Sequence, residues 1–194
     1  MSTAVAEMTM TMQEDAAYLA RLRAGEEAAF ERMVTEHIDR LYAYALRMLG
    51  NIAEAADAVQ EAFLDAHRAI SSFRGESRLT TWLHRIVHRR CLAAIRKRRG
   101  HSDVDELAAV LGDDRADATK PLENGEMELA IKESLGVLPP AQKEALTLFY
   151  YSNMSYEEIA GVMDLPLGTV RTHIHRGKAA MRQILTRRGV VCND

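Results

Sequence analysis

The sequence predicts an all-α protein with two small helical domains, the second containing a helix-turn-helix, joined by a flexible acidic linker. Apolar residues recur at helical spacing along most of the chain, and no segment shows the alternation typical of a strand. An acidic segment without aromatic residues separates the two helical stretches. The expected divisions are a disordered tail at 1–14, a first domain at 15–99, a linker at 100–126, a second domain at 127–188 and a tail at 189–194.

Three helices are expected in the first domain. The first should run from Ala28 to Leu49 and end at Gly50-Asn51, and the second should run from about Ala53 to Ile70. Residues 71–78 are rich in Ser and Gly, which indicates a loop. A third long helix is expected from about Thr80 to Arg98.

The second domain should contain a pair of helices joined by a tight turn. Ser155 and Glu158 have the spacing of a capping box, and Pro166 ends the first helix and suits the start of the next. The second helix has an apolar face with spacings of four, three and four residues, formed by Val170, Ile174, Gly177 and Met181. This combination predicts a helix-turn-helix, whose second helix normally enters the DNA major groove.

The outer face of that second helix carries hydrogen-bond donors and cations. The residues near its N-terminus can reach base edges, whereas cations further along suit phosphates. The candidate DNA contacts are Thr169, Arg171, Thr172, His175, Arg176 and Lys178. His173 and His175 lie two residues apart on a helix and therefore point to different sides, so we expect no metal site there.

Composition and charge narrow the class of protein. The formal net charge is −3, but residues 74–100 hold 9 Lys/Arg against 1 Asp/Glu, and residues 101–128 hold 2 against 9. A basic stretch of this kind favours a nucleic-acid partner. The N-terminus lacks a secretory signal and no apolar run is long enough to span a membrane, so we expect a cytoplasmic protein with free thiols. No catalytic residues, cofactor or metal are expected, and the chain is not predicted to be an enzyme.

An acidic face is expected on the second helix of the first domain. Its members lie opposite the inward Val59 and Phe63 and are Glu54, Asp57, Gln60, Glu61 and Asp65. Such a face could hold Mg²⁺ as in a nuclease, form plain solvated surface, or bind a basic partner protein.

The loop and the third helix combine aromatic and cationic side chains. Aromatic rings can stack on bases while cations neutralise phosphates, which suits single-stranded or melted DNA. We place His84 and His88 on the same DNA-facing surface, and we expect Cys91 to be a small core residue.

Two segments resemble bacterial RNA polymerase sigma factors of the extracytoplasmic-function (ECF) group of the sigma-70 family. "DAVQEAFLDAHRAISSFRGESRLTTWLHRIV" is similar to region two, and "LPPAQKEALTLFYYSNMSYEEIAGVMDLPLGTVRTHIHRGKAAM" is similar to region four. The resemblance covers roughly residues 24–99 and 130–187. It implies a factor that directs core RNA polymerase to promoters, with −10 recognition and melting by the first domain and −35 recognition by the second.

The resemblance also implies partners and site residues. The partners are the β′ clamp and β flap of core RNA polymerase, promoter DNA and an anti-sigma factor, with no insertion into a membrane. The acidic face would bind polymerase. The −10 contacts would come from Phe73, Arg74, Arg78, Trp82, Arg85, Arg89 and Arg96. The helix-turn-helix residues named above would bind the −35 element.

Some positions depart from the family pattern, and two other functions stay open. Arg89 and Ala93 stand where the family commonly has Asn and Asp, and Thr172-His173 replaces a more usual Ser-Arg pair. One alternative is a helix-turn-helix regulator that acts without polymerase. The other is a metal-dependent nuclease built on Glu54, Asp57 and Glu61.

Overall fold

The computed structural model describes residues 16–102 and 125–187, and the regular structure of these two ranges is helical. One short 3₁₀ helix, Ile70–Ser72, follows the third α-helix. The α-helices are α1 (16–23), α2 (Glu27–Leu49), α3 (Ile52–Ala69), α4 (Leu79–Ser102), α5 (Gly125–Gly136), α6 (Pro140–Tyr150), α7 (Tyr156–Met163) and α8 (Leu167–Arg187). The predicted all-α class and its division into two helical domains are confirmed.

The boundaries of the predicted helices agree with the structure to within a few residues, but α1 (16–23) is not among the three helices expected in the first domain. Among the predicted helices the largest difference is at α4, which continues to Ser102 and so enters the expected linker. Residues 1–15, 103–124 and 188–194 lie outside the described parts of the chain. The predicted tail at 1–14, most of the linker at 100–126 and the tail at 189–194 therefore carry no structural account.

The first domain is a bundle in which α2, α3 and α4 pack against one another. The turn between α2 and α3 follows from its residues: Gly50 takes a left-handed conformation, with φ of 68°, and the Asn51 side chain accepts a hydrogen bond from the Glu54 N–H over 3.0 Å. The helices bury an apolar core that includes Met33, Leu41, Val59, Phe63, Leu83 and Val87.

The second domain contains the predicted helix-turn-helix in α7 and α8. The capping box is present, because Ser155 and Glu158 each accept a hydrogen bond from the other's backbone N–H. Val170, Ile174 and Gly177 are buried, which confirms the inward face of α8. Gly177 also permits a close helix contact, since a Cβ at this position would lie 2.9 Å from Leu146 Cδ1 of α6.

Two histidines and one cysteine of α4 are buried. His84 and His88 are 1% and 5% exposed, so the expectation that they belong to a DNA-facing surface is wrong. The second domain packs against this side of α4 and covers both rings. Cys91 is fully buried, as predicted for a core residue, and burial raises the pKa of its thiol to about 12.

Neither domain, as far as it is described, contains a helix long and apolar enough to cross a membrane. In the same two ranges, no cluster of three or more His, Cys, Asp or Glu residues has an arrangement that could hold a metal ion.

Candidate polymerase and nucleic-acid interfaces

The acidic face of α3 divides into residues that bind α4 and residues that face solvent. Glu54 forms an ion pair with Arg98, and Arg90 bridges Glu61 and Asp65 with N–O distances of 2.8 and 2.5 Å. The hydrogen bond with Asp65 raises the pKa of Arg90 above its ordinary value, so the guanidinium remains charged. These three carboxylates therefore fix α4 against α3.

Asp57 and Gln60 form the outward part of the same face. Both are exposed, and neither side chain has a hydrogen bond or ion pair with another residue of the described ranges. Their side chains are consequently available to a partner.

An apolar groove between α2 and α3 adjoins Gln60. Its volume is about 680 Å³, and Gln60 lines part of it. Two large apolar side chains at the groove, Ile38 and Leu64, are 40% and 49% exposed. The other apolar lining residues are Phe30, Val34, Tyr42, Ala56, Val59 and Phe63. An apolar surface beside unpaired polar groups is typical of a protein interface. Helical periodicity does not distinguish this surface from the core, because Ile38 fits the same period as the buried residues of α2.

The loop before α4 supports an aromatic pair. Phe73 is 6% exposed and packs against the half-buried Trp82, with ring centroids 4.9 Å apart. Arg23 Nε of α1 donates a hydrogen bond to the Phe73 carbonyl oxygen over 2.8 Å and fixes this segment. Phe73 therefore supports the indole ring of Trp82 from its buried side. Two arginines of the same loop face solvent: the side chains of Arg74 and Arg78 are 83% and 81% exposed.

The remaining candidate −10 residues lie on the exposed side of α4. Arg85, Arg89 and Arg96 are all exposed, as is Ala93, which with Arg89 is one of the two positions of α4 that depart from the family pattern. Arg85 differs from the others because its Nε donates a hydrogen bond to the Gly161 carbonyl oxygen of α7 over 2.8 Å.

The outer face of α8 brings the candidate −35 residues together. Arg171, Thr172, His175 and Arg176 are exposed, and Thr169 is half-buried at the start of the helix. The Lys178 ammonium lies 4.5 Å from the ring centroid of Phe149 and 5.2 Å from that of Tyr150. This cation–π contact holds the lysine at one end of the face.

The molecule thus presents a helix-turn-helix and a separate basic helix with an aromatic pair, an arrangement typical of a two-domain DNA-binding protein. The family model described as "Sigma-70 region 2" matches residues 33–101, and the model described as "Sigma-70, region 4" matches residues 128–181. Each match coincides with one of the two domains.

Known proteins show the same relationship over most of the chain. The RNA polymerase sigma-H factor of Pseudomonas aeruginosa is 34% identical over 185 residues, which cover 91% of this chain and 96% of that protein. The ECF RNA polymerase sigma factor SigW of Bacillus subtilis is 33% identical and covers 85% of this chain and 93% of its own length.

A solved structure is similar in fold. The sigma factor RpoE from Bartonella quintana, in a co-crystal structure with the anti-sigma factor NepR, matches with a TM-score of 0.69 and 26% identity, over 81% of this chain and 96% of that one. The chain belongs to the ECF group of the sigma-70 family of RNA polymerase sigma factors. Its function is to direct RNA polymerase to promoters.

Proposed function

We propose that three surfaces of the protein have different roles in promoter selection. The α3 surface binds core RNA polymerase, α4 and its preceding loop bind and melt the −10 element, and α8 reads the −35 element. The observation that carries this proposal is the two-sided character of α8. Val170 and Ile174 anchor one side in the domain core, while four polar side chains share the exposed side. A helix held in this way can enter the major groove, where base edges are distinguishable.

The −10 role of α4 is supported by its aromatic pair and exposed arginines. Trp82 rests on Phe73, with Arg78 just before the helix and Arg85 and Arg89 further along it. An indole supported from below can stack on an unpaired base, and neighbouring guanidinium groups can bind the phosphates of the melted strand. Arg89, which departs from the family pattern, would add a phosphate contact.

The polymerase role of α3 is supported by Asp57, Gln60 and the adjoining apolar groove. Charge complementarity would orient a basic surface such as the β′ clamp, and Ile38 and Leu64 would lose solvent on docking. The second domain would contact the β flap. We also infer an anti-sigma partner, as for the B. quintana relative, a cytoplasmic location, and action through polymerase rather than as an enzyme.

The experiment is transcription in vitro with core RNA polymerase and promoters recovered by run-off transcription across genomic DNA. Arg171→Ala and Arg176→Ala are compared on templates that carry single-base changes in the −35 element. A residue that reads a base should cost ~1–3 kcal/mol in binding and relax selectivity at one position. Arg187→Ala is the matched control, because Arg187 is also an exposed arginine of α8 but lies in its last turn. Unchanged transcription from every template in both variants would contradict the assignment of α8.

A further inference from the structure

The first helix, α1, is fixed to the rest of the first domain, although it precedes the residues matched by the region 2 family model, which begin at 33. Leu22 of α1 is 1% exposed in the core. The Tyr18 hydroxyl donates a hydrogen bond to the Ala29 carbonyl oxygen of α2 over 3.3 Å, and the Arg32 guanidinium lies 4.5 Å from the Tyr18 ring centroid. The helix is thus a firm support for any segment that its other end contacts.

The loop before α4 has backbone hydrogen bonds at its two ends. The Phe73 N–H donates to the Ile70 carbonyl oxygen over 3.1 Å, and the Trp82 N–H donates to the Arg78 carbonyl oxygen over 3.1 Å. No backbone–backbone hydrogen bond links residues 74–77 to another residue of the described ranges. The conformation of this middle section therefore depends on side chains from other elements.

Arg23, the last residue of α1, contacts the loop at two points. Its Nε donates to the Phe73 carbonyl oxygen over 2.8 Å, where the chain leaves the aromatic pair and enters the middle section. Gly75 has a left-handed backbone, with φ of 78°, and a Cβ there would lie 3.5 Å from Arg23 Nη2 and 3.9 Å from Leu19 Cδ1. Because the donor is charged, the hydrogen bond to Phe73 is stronger than one between neutral groups. The end of α1 therefore holds the loop on both sides of Arg74.

A loop held in this way is prepared for binding. Phe73 supports the Trp82 ring, and Arg74 follows it directly as an exposed cation. Release of the Phe73 carbonyl would free the backbone up to Gly75, and the position of Arg74 relative to the indole would then vary. Ordering a free loop on DNA costs conformational entropy, which a loop already held in its binding conformation does not lose.

We propose that Arg23 is a positioning residue for promoter recognition: through the Phe73 carbonyl it holds residues 73–78 in the conformation that meets the −10 strand. This inference rests on the proposed −10 role of α4 and its preceding loop. The Arg23 side chain acts through the loop and makes no contact with DNA of its own. The helix α1 thereby contributes to selectivity among −10 sequences, and it has no part in binding to core polymerase.

The free full-length chain tests the first step, because Trp82 is its single tryptophan and reports on the loop by fluorescence. Arg23→Ala should shift the emission to longer wavelength and increase quenching by acrylamide, with the urea unfolding midpoint little changed. Arg23→Lys keeps a charged donor and should restore part of the original spectrum. Arg21→Ala is the matched control, because Arg21 is an exposed arginine of the same helix that pairs with Glu26. Identical fluorescence for Arg23→Ala and Arg21→Ala would overturn the proposal.

The holoenzyme tests the second step, on templates that each carry a single-base change in the −10 element. Arg23→Ala should reduce the discrimination between the preferred and the altered templates about tenfold, with unchanged affinity for core polymerase. Arg23→Lys should recover part of the discrimination, and Arg21→Ala should retain all of it. Full discrimination in Arg23→Ala would overturn the inference. An equal loss on every template, with a salt slope lower by about one, would show a direct phosphate contact and would also overturn it.

A separate variant tests the proposed function on which the inference rests. Arg74→Ala with Arg78→Ala removes the two exposed cations of the loop and should impair promoter opening in the holoenzyme. Unchanged opening in this variant would contradict the −10 role of the loop, and the inference would fall with it. Impaired opening in this variant, together with full discrimination in Arg23→Ala, would overturn the role of Arg23 alone.

Discussion

His84 of α4 points its Nε2 at the Ser152 hydroxyl of the second domain, over 3.1 Å, although 68 positions separate the two residues. The other ring nitrogen, Nδ1, lies 2.9 Å from the Thr80 carbonyl oxygen and therefore donates to it. This leaves Nε2 as an acceptor for the serine hydroxyl, which requires a neutral ring. The pKa of His84 is lowered to about 4, chiefly by burial and in smaller part by His37 and Arg40 of α2, against the opposing effects of the Thr80 hydrogen bond and of Glu158.

The first prediction is that acid weakens the fold through His84. Because the pKa is lower in the folded protein than the ordinary 6.5, the unfolded chain binds more protons, and stability falls as the pH drops from about 6.5 towards 4. The free energy of unfolding in urea should be about 2 kcal/mol lower at pH 5 than at pH 7.5 from this group. At pH 5 the carboxylate of Glu158 is still mostly ionised, because its pKa lies below the ordinary 4.5.

The variant His84→Gln should remove this part of the pH dependence. His175→Gln is the control, because His175 is exposed on α8 and should leave the dependence as it is. If the stability of His84→Gln changes with pH as steeply as that of the unchanged protein, His84 is not the group responsible.

The second prediction concerns the close contact of α8 with α6. In Gly177→Ala the new Cβ would lie 2.9 Å from Leu146 Cδ1 and 3.1 Å from Leu146 Cγ, in a buried position. The strain should exceed the gain in helix propensity and lower the free energy of unfolding by about 1 kcal/mol. Gly168→Ala, on the same helix, meets no atom within 4 Å and should be neutral or slightly stabilising. Equal urea midpoints for the two variants would contradict this account of the helix contact.

The third prediction concerns polymerase binding by α3. Reversal of both Asp57 and Glu61 to Lys should weaken core binding, but Glu61 also pairs with Arg90, so Asp57→Lys alone is the cleaner change. It should reduce affinity for core polymerase about tenfold through like-charge contact. The matched control is Glu157→Lys, which changes an exposed carboxylate of the other domain by the same charge. The affinity of each variant for core polymerase is measured without DNA. Equal affinities for Asp57→Lys and Glu157→Lys would argue against polymerase binding by the acidic face of α3.

The fourth prediction separates phosphate contact from base reading on α8. Lys178 is held over Phe149 and Tyr150, at one end of the exposed face. Lys178→Gln should weaken binding to all −35 sequences alike and reduce the salt dependence of binding by about one unit of slope. Arg171→Ala should instead alter selectivity at one position. A salt titration with several templates distinguishes them, and a change of base preference in Lys178→Gln would count against a phosphate role.

The sequence was a good guide to structure wherever short-range chemistry decides it. Helical spacing identified the inward face of α8, and the separation of Ser155 from Glu158 identified a helix start that the structure confirms. Periodicity also placed Val59 and Phe63 in the core. Such features depend on residues within one or two turns of each other, and a local pattern is enough to specify them.

The burial of His84 and His88 could not be derived in this way. A periodic pattern shows which side of a helix packs within its own domain, but the opposite side of α4 is covered by a domain far along the chain. The ion pairs of Arg90 and Arg98 with α3 could not be derived from the sequence either, because any of the nine cations between 74 and 100 could have faced the acidic helix. The site residues themselves stay predictions until the variants above are measured.

The hydrogen bond from Arg85 to the Gly161 carbonyl oxygen constrains how a sigma factor of this kind can evolve a new promoter preference. A substitution at Arg85 that changed its contact with promoter DNA would at the same time remove a hydrogen bond between the two domains. Selection for a new promoter and selection for the packing of the domains would then act on one side chain. We expect paralogues that have acquired new promoters to carry compensating changes along α7, around Glu158 and Gly161, which restore the contact between the domains without altering the other arginines of α4.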